Sequence, residues 1–112
     1  MFFRRKPKLT KEQQDNVVRC IVRGYAPITS VEFTQFSRDL KTGFYLLSIK
    51  LNENIAYETT LFIRSIDTLN DSRGILGLNP VNRFAGLERK ICLAEDSMID
   101  LTGLTIIYLE NN

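Results

Sequence analysis

Between Tyr45 and Ile63 apolar and polar positions alternate in two runs separated by Asn52-Glu53-Asn54. Tyr45, Leu47, Ile49 and Leu51 share one face of the first run, and Ile55, Tyr57, Thr59, Leu61 and Ile63 share one face of the second. Period-two alternation on both sides of three polar residues predicts a β-hairpin buried on one face. Setting Leu51 opposite Ile55 brings both sets onto the same side and fixes an expected register. In that register Phe44 stands opposite Phe62 and Leu46 opposite Thr60 on the second face, with Ser48, Lys50 and Glu58 at its far end. That second face is therefore half apolar. Either a later segment covers it, as connected elements usually do, or it is an exposed patch of the kind that binds partners.

A helix precedes the hairpin. Thr10-Lys-Glu-Gln13 fits a capping box, in which the Thr10 hydroxyl and the Gln13 side chain each satisfy the other's amide. The helix is predicted from Lys11 to about Arg23, closed by a left-handed Gly24. At 100° per residue Val17, Val18, Ile21, Val22 and Tyr25 form its apolar stripe, while Glu12, Asp15, Asn16, Arg19 and Arg23 occupy the opposite sector and face water. Such a stripe packs on a sheet.

Val31 and Phe33 alternate in a strand after Pro27, and Ser37 to Gly43 reads as a turn. Ser65 to Asp71 suits one helical turn, Asp71 to Gly74 a loop and Ile75 to Leu78 a short strand. Asn79 and Pro80 then suit the cap and first position of a second helix through Leu87, with Val81, Phe84 and Leu87 on its apolar side. Leu104 to Leu109 is a last strand. The fold class that follows is α+β: an N-terminal amphipathic helix on an antiparallel sheet of about four to five strands, with a short second helix. Residues 1–9 read as a basic leader and 10–112 as one domain, a length that buries a core without metal or disulfide.

Charge changes the picture at one place only. Arg4, Arg5, Lys6 and Lys8 lie within the first eight residues, leaving 11 of the 15 basic residues against 13 acidic ones in the remainder. Together with Phe2 and Phe3, this tail suits phosphates and stacked bases or an anionic membrane surface. The acidic remainder disfavours nucleic acid, since a binding domain shows a basic face.

The absence of histidine removes the usual general base, metal ligand and pH switch. There is no phosphate loop, zinc spacing or activated nucleophile. Glu95, Asp96 and Asp100 form the only dense acidic group, without the regular spacing of a calcium loop. Glu32 and Glu58 are candidates for a carboxylate pair across neighbouring strands. Cys20, between Arg19 and Arg23, is either a thiol of lowered pKa or a small packing residue. Asn70-Asp-Ser72 matches a glycosylation acceptor, relevant only to a secreted eukaryotic chain. No catalytic residue, metal or cofactor is assigned.

The charged helix, Ile28-Thr-Ser-Val-Glu-Phe33, the turn into Lys41-Thr-Gly-Phe-Tyr45, the Asn-rich hairpin and Leu76-Gly-Leu-Asn-Pro80 occur here in an order that resembles a group of small uncharacterised Gram-positive proteins of streptococcal and listerial type. The resemblance implies an N-terminal membrane anchor and one small α+β domain outside the cell, and some such proteins give immunity to toxins. If Met1 is the native start the expected location is cytoplasmic. If Phe2 to Lys8 is the stub of a removed anchor, it is extracytoplasmic. The expected function is a non-enzymatic protein-interaction module, with Phe44, Leu46 and Phe62 as its contact residues and a protein, in the narrower reading a toxin, as its partner. The alternative is a nucleic-acid-binding regulator that uses the tail.

Overall fold

The computed structural model describes residues 7–109. Its first element is the helix α1 (Lys11–Gly24). The Gln13 amide donates to Thr10 Oγ1 at 3.0 Å and the Thr10 amide to Gln13 Oε1 at 2.9 Å, so the expected capping box is complete. Leu9, assigned above to the leader, is only 1% exposed and sits in the core, and its carbonyl accepts from Gln14 Nε2 at 3.1 Å. The folded chain thus begins at least one residue before the helix cap.

The helix does not end as expected. Gly24 belongs to α1 without a left-handed φ, and Tyr25 leaves in extended conformation, its amide donating to the Ile21 carbonyl at 3.0 Å. Glycine suits a close approach there, since a Cβ would lie 2.7 Å from Ile75 Cγ2 and that side chain would have to shift. The carbonyls of the last turn find donors in the later chain. Leu76 N–H donates to Cys20, Leu93 N–H to Arg23 and Arg89 N–H to Gly24, while Arg89 Nε donates to Val22. Helix ends need such partners; here a distant segment supplies them.

The sheet holds β1 (Ser30–Arg38), β2 (Tyr45–Leu51), β3 (Glu58–Ile63) and β4 (Thr105–Ile107), ordered β3-β2-β1-β4. The first three strands are antiparallel, but β4 runs parallel to β1. Parallel neighbours need a long connection, and the segment between β3 and β4 provides it. A bulge between Phe33 and Gln35 lets Phe36 rejoin the inner face opposite Leu47.

The hairpin keeps its expected faces but shifts its register by two residues. Leu46 pairs with Phe62, Ser48 with Thr60 and Lys50 with Glu58. The cause is a longer reversal. Asn52 and Glu53 take left-handed φ values of 56° and 53°, and Asn54 N–H closes this turn on the Leu51 carbonyl. A 3-10 turn (Ile55–Tyr57) then intervenes before β3. An even shift preserves parity, so the buried set stays buried. Asn52 also ties the turn to the chain entering β1, accepting from Thr29 N–H at 2.8 Å and donating to the Pro27 carbonyl at 2.9 Å.

Val17, Val18 and Ile21 of α1 share one core with Val31, Phe33, Leu47, Ile49, Leu51, Leu61 and Ile63 of the sheet's inner face. A 3-10 turn (Ile66–Asn70) packs beside α1 through buried Leu69. The expected strand at Ile75 to Leu78 does not form; Leu78 is buried instead, its amide donating to Tyr25 Oη at 2.9 Å. The second helix, α2 (Val81–Phe84), is one turn that continues as a 3-10 turn (Ala85–Leu87). Pro80, not Asn79, precedes it, and no side chain caps it. Phe84 and Leu87 are buried as expected, whereas Val81 is exposed. The last strand is shorter than Leu104 to Leu109 because Tyr108 and Leu109 turn away to bond Asp15 and Gln14 of α1.

Candidate functional site

The segment expected to cover the outer face of the sheet lies over α1 instead, and among the described residues none covers the outer face. Phe62 is 71% exposed on β3, with Leu46 opposite it and half-buried. Phe44 lies just before β2, also half-buried, and the Arg64 guanidinium stands 5.6 Å from its ring centroid. The three contact residues named from the sequence are thus on one surface, though Leu46 takes the place opposite Phe62 that register had assigned to Phe44. Towards the other end of the strands the face becomes polar. Ser48 and Thr60 hydroxyls are 2.9 Å apart, and Lys50 is flanked by Glu32, at 3.3 Å, and Glu58. The open face therefore carries its apolar cluster and Arg64 at one end, and two carboxylates around Lys50, with exposed Ile107 beside Glu32, at the other.

That ordering separates the proposed carboxylate pair. Glu32 and Glu58 are on β1 and β3, two strands apart, with β2 and Lys50 between them. Glu95, Asp96 and Asp100 do not share a task either. The Glu95 carbonyl receives Gly74 N–H, Asp96 lines a cavity beside α1, and Asp100 accepts from Thr102 N–H at 2.9 Å. Bonds from Thr102 hold the Asp100 carboxyl below its usual range. Among the described residues no three His, Cys, Asp or Glu side chains are grouped to hold a metal. Phe2, Phe3, Arg4, Arg5 and Lys6 of the tail lie outside the described residues, and Lys8 is exposed.

The sector of α1 expected to face water contains the least anticipated feature. Arg23 is 1% exposed. Its Nη1 donates to the carbonyls of Ser72 and Gly74, the latter at 2.6 Å, and its Nη2 to the Ser97 carbonyl at 2.7 Å. Asn16 is buried likewise, donating to the Leu69 carbonyl at 2.8 Å. A cavity of about 410 Å³ adjoins Arg23, lined also by Arg19, Arg73, Asp71 and Asp96. The guanidinium makes three bonds to main-chain oxygens and, among the described residues, no ion pair. Helical periodicity could not have found this, because an arginine opposite an apolar stripe normally faces solvent. The usable signal lies elsewhere: Ile75, Leu76, Leu78, Phe84 and Leu87 form a surplus of apolar residues that must pack somewhere.

Cys20 is buried and unpaired, and burial raises its pKa against the opposing effect of Arg23. The packing reading of this thiol holds and the activated one does not. Cys92 is free and exposed. On the other flank of α1, Tyr108 Oη donates to Asp15 Oδ1 at 2.6 Å under the Lys11 ammonium. Burial first, then the bond to Asp15, push this phenol up to about 12. It borders a second cavity of about 410 Å³ with Arg19, Leu101, Leu104 and Ile106. Comparison with protein-family models, curated proteins and solved structures finds no match to this chain.

Proposed function

We propose that this chain is a protein-interaction module without catalytic chemistry of its own, which docks a protein partner on the outer face of its sheet around Phe62, Leu46 and Phe44. The exposure of Phe62 carries the reading. A phenylalanine left 71% exposed beside two other apolar residues, on a face that no segment among the described residues covers, forgoes burial worth about 1.5–3 kcal/mol unless a partner supplies it. Arg64 and the acidic far end give that surface an orientation, which favours one docking direction over its reverse. The narrower form of the proposal, a toxin-immunity protein held at a Gram-positive membrane, rests on the order of sequence features and adds an identity for the partner.

The test is affinity capture from an extract of the cells that make the protein. The full chain is compared with the Phe44→Glu, Phe62→Glu double variant and with a chain lacking residues 1–8. Circular dichroism and a thermal melt check that each is folded. The proposal expects one protein retained by the full and shortened chains and lost from the double variant. Retention by a folded double variant refutes the site. Retention of nucleic acid by the full chain alone would establish the tail-based alternative instead.

A further inference from the structure

The hydrogen-bond directions of the sheet leave one side of β3 unpaired. Asn52 N–H donates to the Ser30 carbonyl and Asp39 N–H to the Phe44 carbonyl, so the even-numbered residues of β2 point their main-chain groups at β1. Its odd-numbered residues then point at β3, where Thr59, Leu61 and Ile63 answer them. Glu58, Thr60 and Phe62 must therefore aim their amides and carbonyls off the sheet. The Glu58 carbonyl confirms this, since Arg83 Nη1 reaches it from outside at 3.0 Å. Arg83 covers that end. No hydrogen bond among the described residues engages the main chain of Thr60 or Phe62.

We infer that this edge pairs with the β3 edge of a second copy, antiparallel, about a two-fold axis at Leu61. The inference rests on the reading of the Phe62 surface as an interaction site and names its partner. An edge strand carrying an exposed aromatic and no covering element is the form that β-strand addition uses. The free window consists of Thr60 and Phe62, and its midpoint is Leu61. Pairing that uses both free residues of both copies sets Thr60 against Phe62 of the second copy and forms four main-chain hydrogen bonds. Charge selects the same register. With the axis at Leu61, Glu58 of each copy faces Arg64 of the other on the open side of the sheet, twice by symmetry. Moving the axis to Phe62 sets Arg64 against Thr60 and leaves Glu58 unmatched. Moving it to Thr60 demands the part of the edge that Arg83 occupies. The product is a continuous eight-stranded sheet in which the two Phe62 rings are diagonal neighbours.

Sedimentation velocity on the purified full chain, from micromolar to about millimolar, tests this without any foreign partner. The wild type is expected to pass from monomer to dimer with rising concentration. Glu58→Arg and Arg64→Glu should each raise the dimer dissociation constant about tenfold, and the double reversal should restore it, because both symmetric pairs are reversed together. Arg64→Glu leaves the Lys50–Glu32 ion pair and the cross-strand neighbours Lys50 and Glu58 untouched, and so guards against a variant that merely fails to fold. A chain that stays monomeric throughout refutes the inference, as does a dimer indifferent to both single reversals. If a monomer still captures another protein through Phe62, the proposed function survives and the edge belongs to a foreign strand.

Discussion

Replacing Arg23 by methionine tests whether the irregular segment between β3 and β4 is held by the helix it crosses. Methionine keeps the length and most of the apolar stem, so the packing loss is small and the polar contribution is isolated. Three main-chain carbonyls, those of Ser72, Gly74 and Ser97, lose their donor. An orphaned buried acceptor costs about 1–3 kcal/mol. Water can enter from the adjoining cavity, so the low end applies, and the three together cost about 3 kcal/mol. Relief of the desolvated guanidinium, which has no ion-pair partner among the described residues, works the other way and returns part of it. The balance is a destabilisation of about 2 kcal/mol, a large fraction of the about 5–15 kcal/mol of a typical domain.

Urea unfolding followed by circular dichroism should show a lower midpoint at unchanged slope, and the melting temperature should fall by about 6–12 °C. Amide exchange should quicken at Gly74 and Leu93, whose N–H groups are fixed by the same wrap. Arg23→Lys separates charge from geometry, because one ammonium cannot span carbonyls on both sides of a planar fork. A methionine variant as stable as wild type, or more so, would refute the reasoning: the guanidinium would then be a tolerated burial and not a clip.

Two further outcomes concern Tyr108, on the opposite flank of α1, and the two thiols. Tyr108 has its folded pKa raised from 10.0 to about 12, so its neutral form is favoured by folding. Its contribution to stability is complete below pH 10 and is lost as the pH rises from there to about 12. Unfolding free energies for wild type and Tyr108→Phe should therefore converge across that window, and the difference in phenolate absorbance between them should titrate near 12; a difference titrating near 10 would show that the Asp15 bond does not hold in solution. For the thiols, one per native chain should react with a disulfide reagent, at Cys92, and a second only in denaturant, at Cys20. Equal rates at both would contradict the burial of Cys20.

What was legible in the sequence was what neighbours decide. The capping box at Thr10 depends on residues three apart, and both its bonds form. The two faces of the hairpin depend on parity alone, so they survive a register shift of two. The shift itself came from chain geometry that composition does not show: Asn52 and Glu53 adopt left-handed conformations, and Ile55 enters a 3-10 turn although its alternation suits a strand. Gly24 shows the same limit, because its role is set by Ile75, 51 positions away in the chain, and not by its own backbone. That Phe44, Leu46 and Phe62 share one surface was legible because alternation places them. Arg23 was missed because its surroundings are three carbonyls from a segment with no period at all.

The burial of Arg23 and the exposure of Phe62 are connected. This two-layer domain has one long helix, α1, to cover a four-stranded sheet, and the chain after β3 must add its apolar residues to one side or the other. The irregular backbone from 71 to 99 has few ladder partners of its own and needs donors and acceptors wherever it runs. α1 offers them in Arg23 and the carbonyls of its last turn, and Asn16 anchors the 3-10 turn just before, at the Leu69 carbonyl. The outer face of the sheet offers fewer, because outside the free edge of β3 its main-chain groups are committed within the ladder, and its polar side chains engage one another, Ser48 with Thr60 and Lys50 with Glu32. Hydrogen-bond supply therefore draws the segment to the helix, and the same preference leaves the outer face and the β3 edge uncovered. If Arg23 and Asn16 are what hold the wrap, removing both should speed amide exchange across residues 69–99 while leaving that of β2 and β3 unchanged, because the bonds of the sheet that carries Phe62 are untouched.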